Sequence, residues 1–436
     1  MSRLRLAARA VELARRHGAD HAVAGASRSR AFEMRCRDGA VETVEESRST
    51  SVRLELLVDG RYSTHATTDL RDGPLDAFVG EAVALTRLLE VDPHRRPTPE
   101  ALWRDRREID LDLVDPRVDA ISNEDRIAAC RSIEEGARSG ADVLGVTTWA
   151  SDGRVTTARV SSDGFSGTRT CTSASLGTQV GVADEGGKRP EGYRFCSATH
   201  LADLMDAGEV GRVALARTLA KLGARKSASA RATLVLAPEA GGGFLRRPLG
   251  ALHASAIQQR SSFLADRMGE PVSSPLLRIV DEPHRPRSLA SRLYDGDGMT
   301  TRERTIVDDG VLRSFYVDVY YGSKLGLEPT TTGSTNTVFQ GGEGDLESLT
   351  REVADGFLVR GWLGGNANAT TGDFSFGFHG HRITGGRIDA PVAEMNVTGN
   401  YREVLPRLVA VGADPDPWST FRTPTLVFEG VDFSGA

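Results

Sequence analysis

Apolar and polar positions change period repeatedly along the chain. Leu4, Ala7, Val11 and Ala14 recur at helical spacing and Gly18 ends the run, which predicts a first helix. Phe32, Met34 and Cys36 then alternate with Glu33, Arg35 and Arg37, and Val52, Leu54, Leu56 and Val58 alternate again. Asp38-Gly39 and Asp59-Gly60 close these runs, so the pattern is a meander of half-buried antiparallel hairpins. A helix follows over residues 74–89, then a Pro-rich connector at 92–99. Ser122 with Asp125 forms a capping box for another helix, whose inner stripe is Ile127, Cys130, Ile133 and Ala137. Strands are predicted at 143–150, 155–161 and 168–182, with Asp-Gly turns at 152–153 and 163–164, and a helix at 209–222. Residues 1–228 thus read as an α/β domain of helices on mainly antiparallel strands.

The second half, 229–436, opens with a strand at 232–237. Gly241, Gly242 and Gly243 lead into an apolar, helix-prone segment that runs to Met268. From Leu276 the pattern is mostly short strands and turns, with one helix at 346–355 that Asp345 caps. Glycine is dense at Gly361, Gly364, Gly365, Gly372, Gly377, Gly380, Gly385 and Gly386. Such density between strands predicts tight corners and bulges, hence a bent or barrel-like sheet. The fold class is α+β, with the C-terminal half largely β.

Composition narrows the function classes. The 436 residues carry 39% hydrophobic and 26% charged positions, as ordinary globular chains do. A net charge of -6 gives nucleic-acid binding no electrostatic support. Lysine occurs only at Lys188, Lys221, Lys226 and Lys324, so arginine supplies nearly all the positive charge. Cys36, Cys130, Cys171 and Cys196 form no CxxC pair, which fits a reducing cytoplasm. No apolar run approaches the roughly 18 residues of a membrane span. The Arg-rich start (Arg3, Arg5, Arg9, Arg15 and Arg16) lacks the apolar centre of a secretory signal.

Four constellations carry candidate chemistry. His253 falls in the helix-prone segment, but Ala254 stands where a general base would, and Ile257 and Gln258 stand where a second ligand would. His379 and His381 share one face of a strand, a geometry able to hold a metal, with Asp373 near in sequence as the only local carboxylate. Asp281, Glu282 and His284 surround Pro283, where an extended or turning chain points such groups at solvent. Asp295 and Asp297 look calcium-like but lack the remaining loop ligands. No phosphate-binding, dinucleotide-binding or G-x-S-x-G signature falls in a suitable strand-to-helix context.

The second half resembles the PmbA (TldE) branch of the TldD/PmbA family over nearly its whole length. The resemblance lies in residues 261–269 (SSFLADRMG), Asp281-Glu282-Pro283 with the later YDGDG at 294–298, DGVL at 309–312 and YYGSKLG at 320–326. It continues through TGDFSFG at 371–377 and Pro391-Val392 to Thr398-Gly399-Asn400. The first half matches more loosely.

This resemblance implies two domains and a heterodimer around a shared chamber. It implies that a TldD-like partner carries an HExxxH helix and a cysteine as zinc ligands, whereas this subunit carries no metal and no catalytic residue. It also implies that the substrate is an unfolded peptide, bound as an extended strand, or a modified precursor peptide trimmed of its leader. This chain lacks the TldD pattern at each essential point, and no cysteine follows Cys196. The expectation is therefore a non-catalytic subunit, without cofactor of its own, active only beside a TldD-like partner. Two other readings compete with it: a stand-alone metal-dependent peptide hydrolase or tailoring enzyme using His379 and His381, and a homo-oligomeric peptide-binding protein.

Overall fold

A computed structural model of the chain describes residues 2–139 and 142–435. Its first half is built on one antiparallel six-stranded sheet. The strands are β1 (His21–Arg37), β2 (Ala40–Val58), β3 (Arg61–Thr67), β4 (Val143–Ser161), β5 (Ser166–Val182) and β6 (Glu191–Ala198), in the order β3-β2-β1-β4-β5-β6. Asp38 and Gly39, like Asp59 and Gly60, adopt positive φ at the predicted two-residue turns. Four helices accompany the sheet: α1 (Arg3–Arg16), α2 (Asp72–Thr86), α3 (Asn123–Ala137) and α4 (Ala207–Leu219). Ala22, Ala24 and Ala26 of β1 pack against α1 and α2, while Phe32, Met34 and Cys36 of the same strand face pack near Cys130 of α3. The Ser122–Asp125 capping box forms as predicted. In α1 the buried stripe is Leu6, Ala7, Ala10, Val11, Leu13 and Ala14, and the predicted Leu4 is exposed instead.

The turn predicted at 152–153 does not exist, because β4 runs straight through it. Asp152 is buried and its carboxylate binds Arg30 at 2.8 Å and the buried Arg126 at 2.7 Å. Gly153 lies so close to the Arg30 carbonyl of β1 that a Cβ there would sit 2.8 Å from it. A dipeptide that usually reverses the chain is held extended by a buried ion triad and a close strand approach.

The second half contains β7 (Ala230–Leu236), α5 (Pro238–Gly250) and α6 (Ala254–Gln258). After these come β8 (Arg278–Asp281), β9 (Arg304–Asp308), β10 (Val311–Leu312), α7 (Val319–Leu325), β11 (Thr337–Gln340) and α8 (Leu346–Arg351). The chain ends with β12 (Asp355–Ala367), β13 (Asp373–Thr384), β14 (Arg387–Asn400), α9 (Tyr401–Val404), β15 (Leu408–Val411), β16 (Phe421–Arg422) and β17 (Leu426–Ser434). One sheet has the order β14-β13-β12-β7-β17-β15, and an added β14–β17 pairing closes five of its strands into a barrel. A smaller open sheet has the order β10-β9-β8-β11-β16. Short strands thus prevail up to residue 340 and recur at β15 and β16, whereas β12 to β14 are long.

The barrel strands alternate sharply. Leu234, Leu236, Phe357, Val359, Phe378 and Phe428 join the large core, whereas Val235, Leu358 and Val427 on the opposite face pack with Leu346 and Leu349 of α8. Phe244 of α5 lies edge-on to Phe374 at 5.2 Å, and the buried Tyr401 hydroxyl donates to the Phe244 carbonyl at 2.7 Å. The predicted helix at 346–355 stops at Arg351, since Asp355 already begins β12. The two halves dock through polar contacts: the Arg169 guanidinium donates to the carbonyls of Leu289 and Ser291, and the Thr199 hydroxyl donates to that of Arg287.

Candidate functional site

Between the halves lies a cleft of about 580 Å³. The first half contributes edge strand β6 and the C-terminal end of α4. The second contributes the start of α5, the middles of β12 and β13, and the segment 416–421. Its volume is in the usual range for ligand sites, and a junction between domains is a usual place for one.

Each wall follows from local sequence. In β6 the alternation buries Arg194 and turns Tyr193 and Phe195 outward, where their rings stack at 6.4 Å. Arg194 is held by Asp416 at 2.5 Å and lies over the Trp418 ring at 4.9 Å. Arg217 sits in the last turn of α4 and Lys221 just beyond it, at the end of the helix dipole that favours cations. Arg217 donates to the Tyr193 carbonyl and Lys221 to that of Glu191, which ties α4 to β6. In α5, Glu239 occupies the first turn and bridges Arg360 at 3.1 Å and Arg217 at 3.8 Å. Arg246, one turn from the end of α5, lies over Phe421 at 4.3 Å.

His379 and His381 both line this cleft, since β13 places alternate residues on one face as the sequence predicts. His379 lies across Gly361 of β12, where a Cβ would meet its Nε2 at 2.4 Å. Likewise, only glycine at 243 leaves room for the Trp362 indole, whose N–H donates to the Ala240 carbonyl at 2.9 Å. Burial, then the nearby Lys221 ammonium, His381 and the Arg360 guanidinium, push the His379 pKa down to about 4. Burial, then Arg360, lower that of His381 too. Both rings are neutral in the free protein at pH 7; His381 meets the Ala220 backbone, and its buried Nδ1 has no hydrogen-bond partner among the described residues.

The other sequence candidates lie apart from the cleft. His253 is not on a helix. Helix α5 ends at Gly250, soon after Pro248, and His253 adopts extended φ and ψ as the N-cap of the short α6. Its segment pairs instead with Tyr316: Tyr316 N–H donates to Leu252, Ala254 N–H donates to Tyr316, and the His253 and Tyr316 rings lie 5.0 Å apart. The helix-prone reading to Met268 fails for the same reason, because no helix follows Gln258 there. Asp281 does not face solvent. It is buried and accepts hydrogen bonds from the Thr335 N–H at 2.6 Å and hydroxyl at 2.9 Å. Glu282 pairs with Arg285 and His284 meets the Thr301 hydroxyl. Asp295 accepts from the N–H groups of Asp297, Met299 and Thr332, and Asp297 from that of Val319. Asp373 is exposed and bonded to Thr371 and Asn400. The four cysteines are buried and free, and burial raises the Cys130 thiol to about 12.

Sequence reasoning missed Arg194, Arg217, Lys221, Arg246 and Arg360. One signal was available: Lys221 is among the few lysines in a chain that otherwise uses arginine.

Comparison with known proteins gives this geometry a family. Models of the three PmbA/TldA metallopeptidase domains match residues 22–86, 116–222 and 229–435. The chain belongs to the PmbA/TldD family. Metalloprotease PmbA of Escherichia coli is 27% identical over 95% of this chain and 92% of its own. A solved Bacteroides thetaiotaomicron structure, named in connection with DNA gyrase modulation, is 35% identical and superposes with a TM-score of 0.96 over 99% of this chain and 98% of its own. TldE of Thermococcus kodakarensis shares the fold, with a TM-score of 0.87 at 18% identity over 99% of this chain and all (100%) of its own.

A PmbA/TldD metallopeptidase name implies a metal, and the cleft can be tested for one. A catalytic zinc takes three protein ligands and keeps one open position. Among the described residues no group of three or more His, Cys, Asp or Glu is placed to hold an ion. His379 and His381 have Lys221 and Arg360 as neighbours, and the carboxylates lining the cleft, Glu239 and Asp416, are engaged by guanidinium groups. Cations around a ligand pair oppose a divalent ion. The donor set of this cleft does not fit zinc.

Proposed function

We propose that this chain is the non-catalytic, PmbA/TldE-like subunit of a two-component metalloprotease, and that its cleft holds extended peptide while a TldD-like partner cuts it. One observation carries the reading: the cleft is built with open space and aromatic walls, yet its polar groups supply neither three metal donors nor a free carboxylate base. Removing those groups removes the activated water itself, not a fraction of its reactivity. Edge strand β6, with Tyr193 and Phe195 at the cleft, supports binding of extended chains by strand addition. In this reading zinc belongs to the HExxxH-bearing partner, substrates are unfolded or precursor peptides, and the assembly works in the cytoplasm. The wall of Arg360 and Lys221 counts against a stand-alone hydrolase built on His379 and His381.

The test is to purify the chain alone and together with a TldD-like HExxxH subunit, and to assay an unstructured peptide. Cleavage is expected only from the pair, and a chelator should abolish it. Chelator-sensitive cleavage by this chain alone would overturn the proposal.

A further inference from the structure

The chain as a whole is acidic, at net -6, yet the cleft inverts that sign. Arg194, Arg217, Lys221, Arg246 and Arg360 line it against Glu239 and Asp416 alone, five cations to two anions, a surplus of three with both histidines neutral. The pairing shows where the surplus sits. Asp416 is taken by Arg194, and Glu239 is shared by Arg360 and Arg217. Lys221 makes one bond, to a backbone carbonyl, and has no carboxylate within ion-pair distance among the described residues. An ammonium has three donors, so two remain. Arg246 has the Phe421 ring beneath it and neither a hydrogen bond nor an ion pair among the described residues, although a guanidinium presents five donors. Burial lowers the pKa of both cations, so an anion at either would relieve an existing cost.

We infer that this cleft selects its peptide through a carboxylate, for which Lys221 and Arg246 are two separate receiving points. The inference rests on the cleft being a peptide site, as proposed above. A carboxylate suits the site better than a phosphate does. Glu239 stands in the first turn of α5, the position where backbone N–H groups would otherwise cradle a phosphate, and its charge repels a dense dianion. Arg246 sits over the Phe421 ring with its N–H donors unspent among the described residues, and a guanidinium suits a planar, bidentate acceptor. The aromatic side chains of Trp362, Trp418 and Phe195 give the rest of the chain an apolar bed. The carboxylate has two sources in a peptide: the C-terminus and the side chains of Asp or Glu.

The experiment uses the full chain without a partner. Two unstructured peptides differ only in carrying Glu and Asp or Gln and Asn, and each is made with a free and with an amidated C-terminus. Fluorescence of Trp362 and Trp418 reads binding. A carboxylate peptide is expected to bind about tenfold tighter than its neutral counterpart, with the advantage falling as salt rises. The doubly substituted R246Q/K221Q chain should lose that advantage, whereas K221R, which keeps the charge, should retain it. Loss on amidation assigns the C-terminus, and loss on the Gln/Asn change assigns the side chains. Equal binding of all four peptides, an advantage that survives R246Q/K221Q, or displacement by inorganic phosphate at matched ionic strength would each overturn the inference. Failure to find a partner leaves these outcomes untouched. Conversely, partner-dependent cleavage with no carboxylate preference would refute this inference alone.

Discussion

Asp281, Asp295 and Asp297 of the second half lie apart from the cleft, which Arg194, Arg217, Lys221, Arg246 and Arg360 from both halves line. The carboxylates are hydrogen-bonded from within, Asp295 most fully and Asp297 least. Asp295 alone accepts three backbone N–H groups, at 3.0, 3.0 and 2.8 Å. These bonds come from its own loop and from Thr332, so most of the charge's acceptor capacity goes to fixing the chain path. The cleft cations are partly saturated and their surplus faces open space. Charged clusters that look equally eventful in a sequence therefore divide by one criterion: whether the fold itself fills their hydrogen-bonding capacity. By that criterion Asp281 and Asp295 hold the chain path, while Lys221 and Arg246 keep donors to spare.

The sharpest way to break this contrast is to remove a charge of the saturated kind. Asp152 belongs with the acidic loops in this respect, being bound by Arg30 and the buried Arg126. D152A should cost about 3–5 kcal/mol in urea unfolding, because it strands a buried guanidinium. A loss below about 1 kcal/mol would show that the triad is not held from within.

Asp297 gives a smaller effect of opposite sign. Burial, offset in part by the Val319 N–H, lifts its pKa to about 6, above the unfolded carboxylate value. Its protonated form is thus favoured in the folded chain, and the stability it contributes is lost as pH rises through about 6. D297N keeps an acceptor for Val319 and removes the charge. It should stabilise the chain by on the order of 2 kcal/mol near pH 7.5, with the gain vanishing near pH 4. No gain at the higher pH would mean that the carboxylate is better solvated than its surroundings imply.

On the cleft side His379 runs the other way. Its pKa of about 4 lies below that of an unfolded histidine, so stability falls as pH drops from about 6.5 toward 4, where the unfolded chain binds the extra proton. H379Q should flatten this fall by about 1 kcal/mol between pH 7.5 and 5, measured by denaturation midpoints. The smallest effect belongs to Arg246. R246Q should change stability by less than about 0.5 kcal/mol, since no internal hydrogen bond depends on it. A large loss there would place Arg246 with the saturated charges and remove the contrast.

Much of the fold was legible in the sequence where the causes are local. Asp38-Gly39 and Asp59-Gly60 are turns because those residues accept positive φ, and Ser122 caps α3 with Asp125 three residues on. Asp152-Gly153 misled because its partners, Arg30 and Arg126, come from other elements. His253 misled because an apolar run reads as helix, while Pro248 and the pairing with Tyr316 end it early. Glycine density foretold a bent sheet, but the β14–β17 pairing that closes it joins residues such as Thr398 and Asp432, beyond the reach of periodicity. Of the site, only the shared face of His379 and His381 was visible beforehand. The cations that decide its character arrive from β6, α4, α5 and β12, and only the assembled fold shows that they converge.

Barrel closure has a consequence for how the polypeptide is made. β17 sits between β7 and β14, so a strand made nearly two hundred residues after β7 is hydrogen-bonded to it. Until residues 426–434 leave the ribosome, β7 has one edge bare, and Leu234 and Leu236 lack the cover of Phe428. A nascent chain stalled before that point exposes a sticky, strand-ready segment, the form most prone to pairing with a neighbour. Production of this protein should accordingly be sensitive to translation speed and to chaperone supply until residues 426–434 are made, long after the first-half sheet has had its full complement of strands.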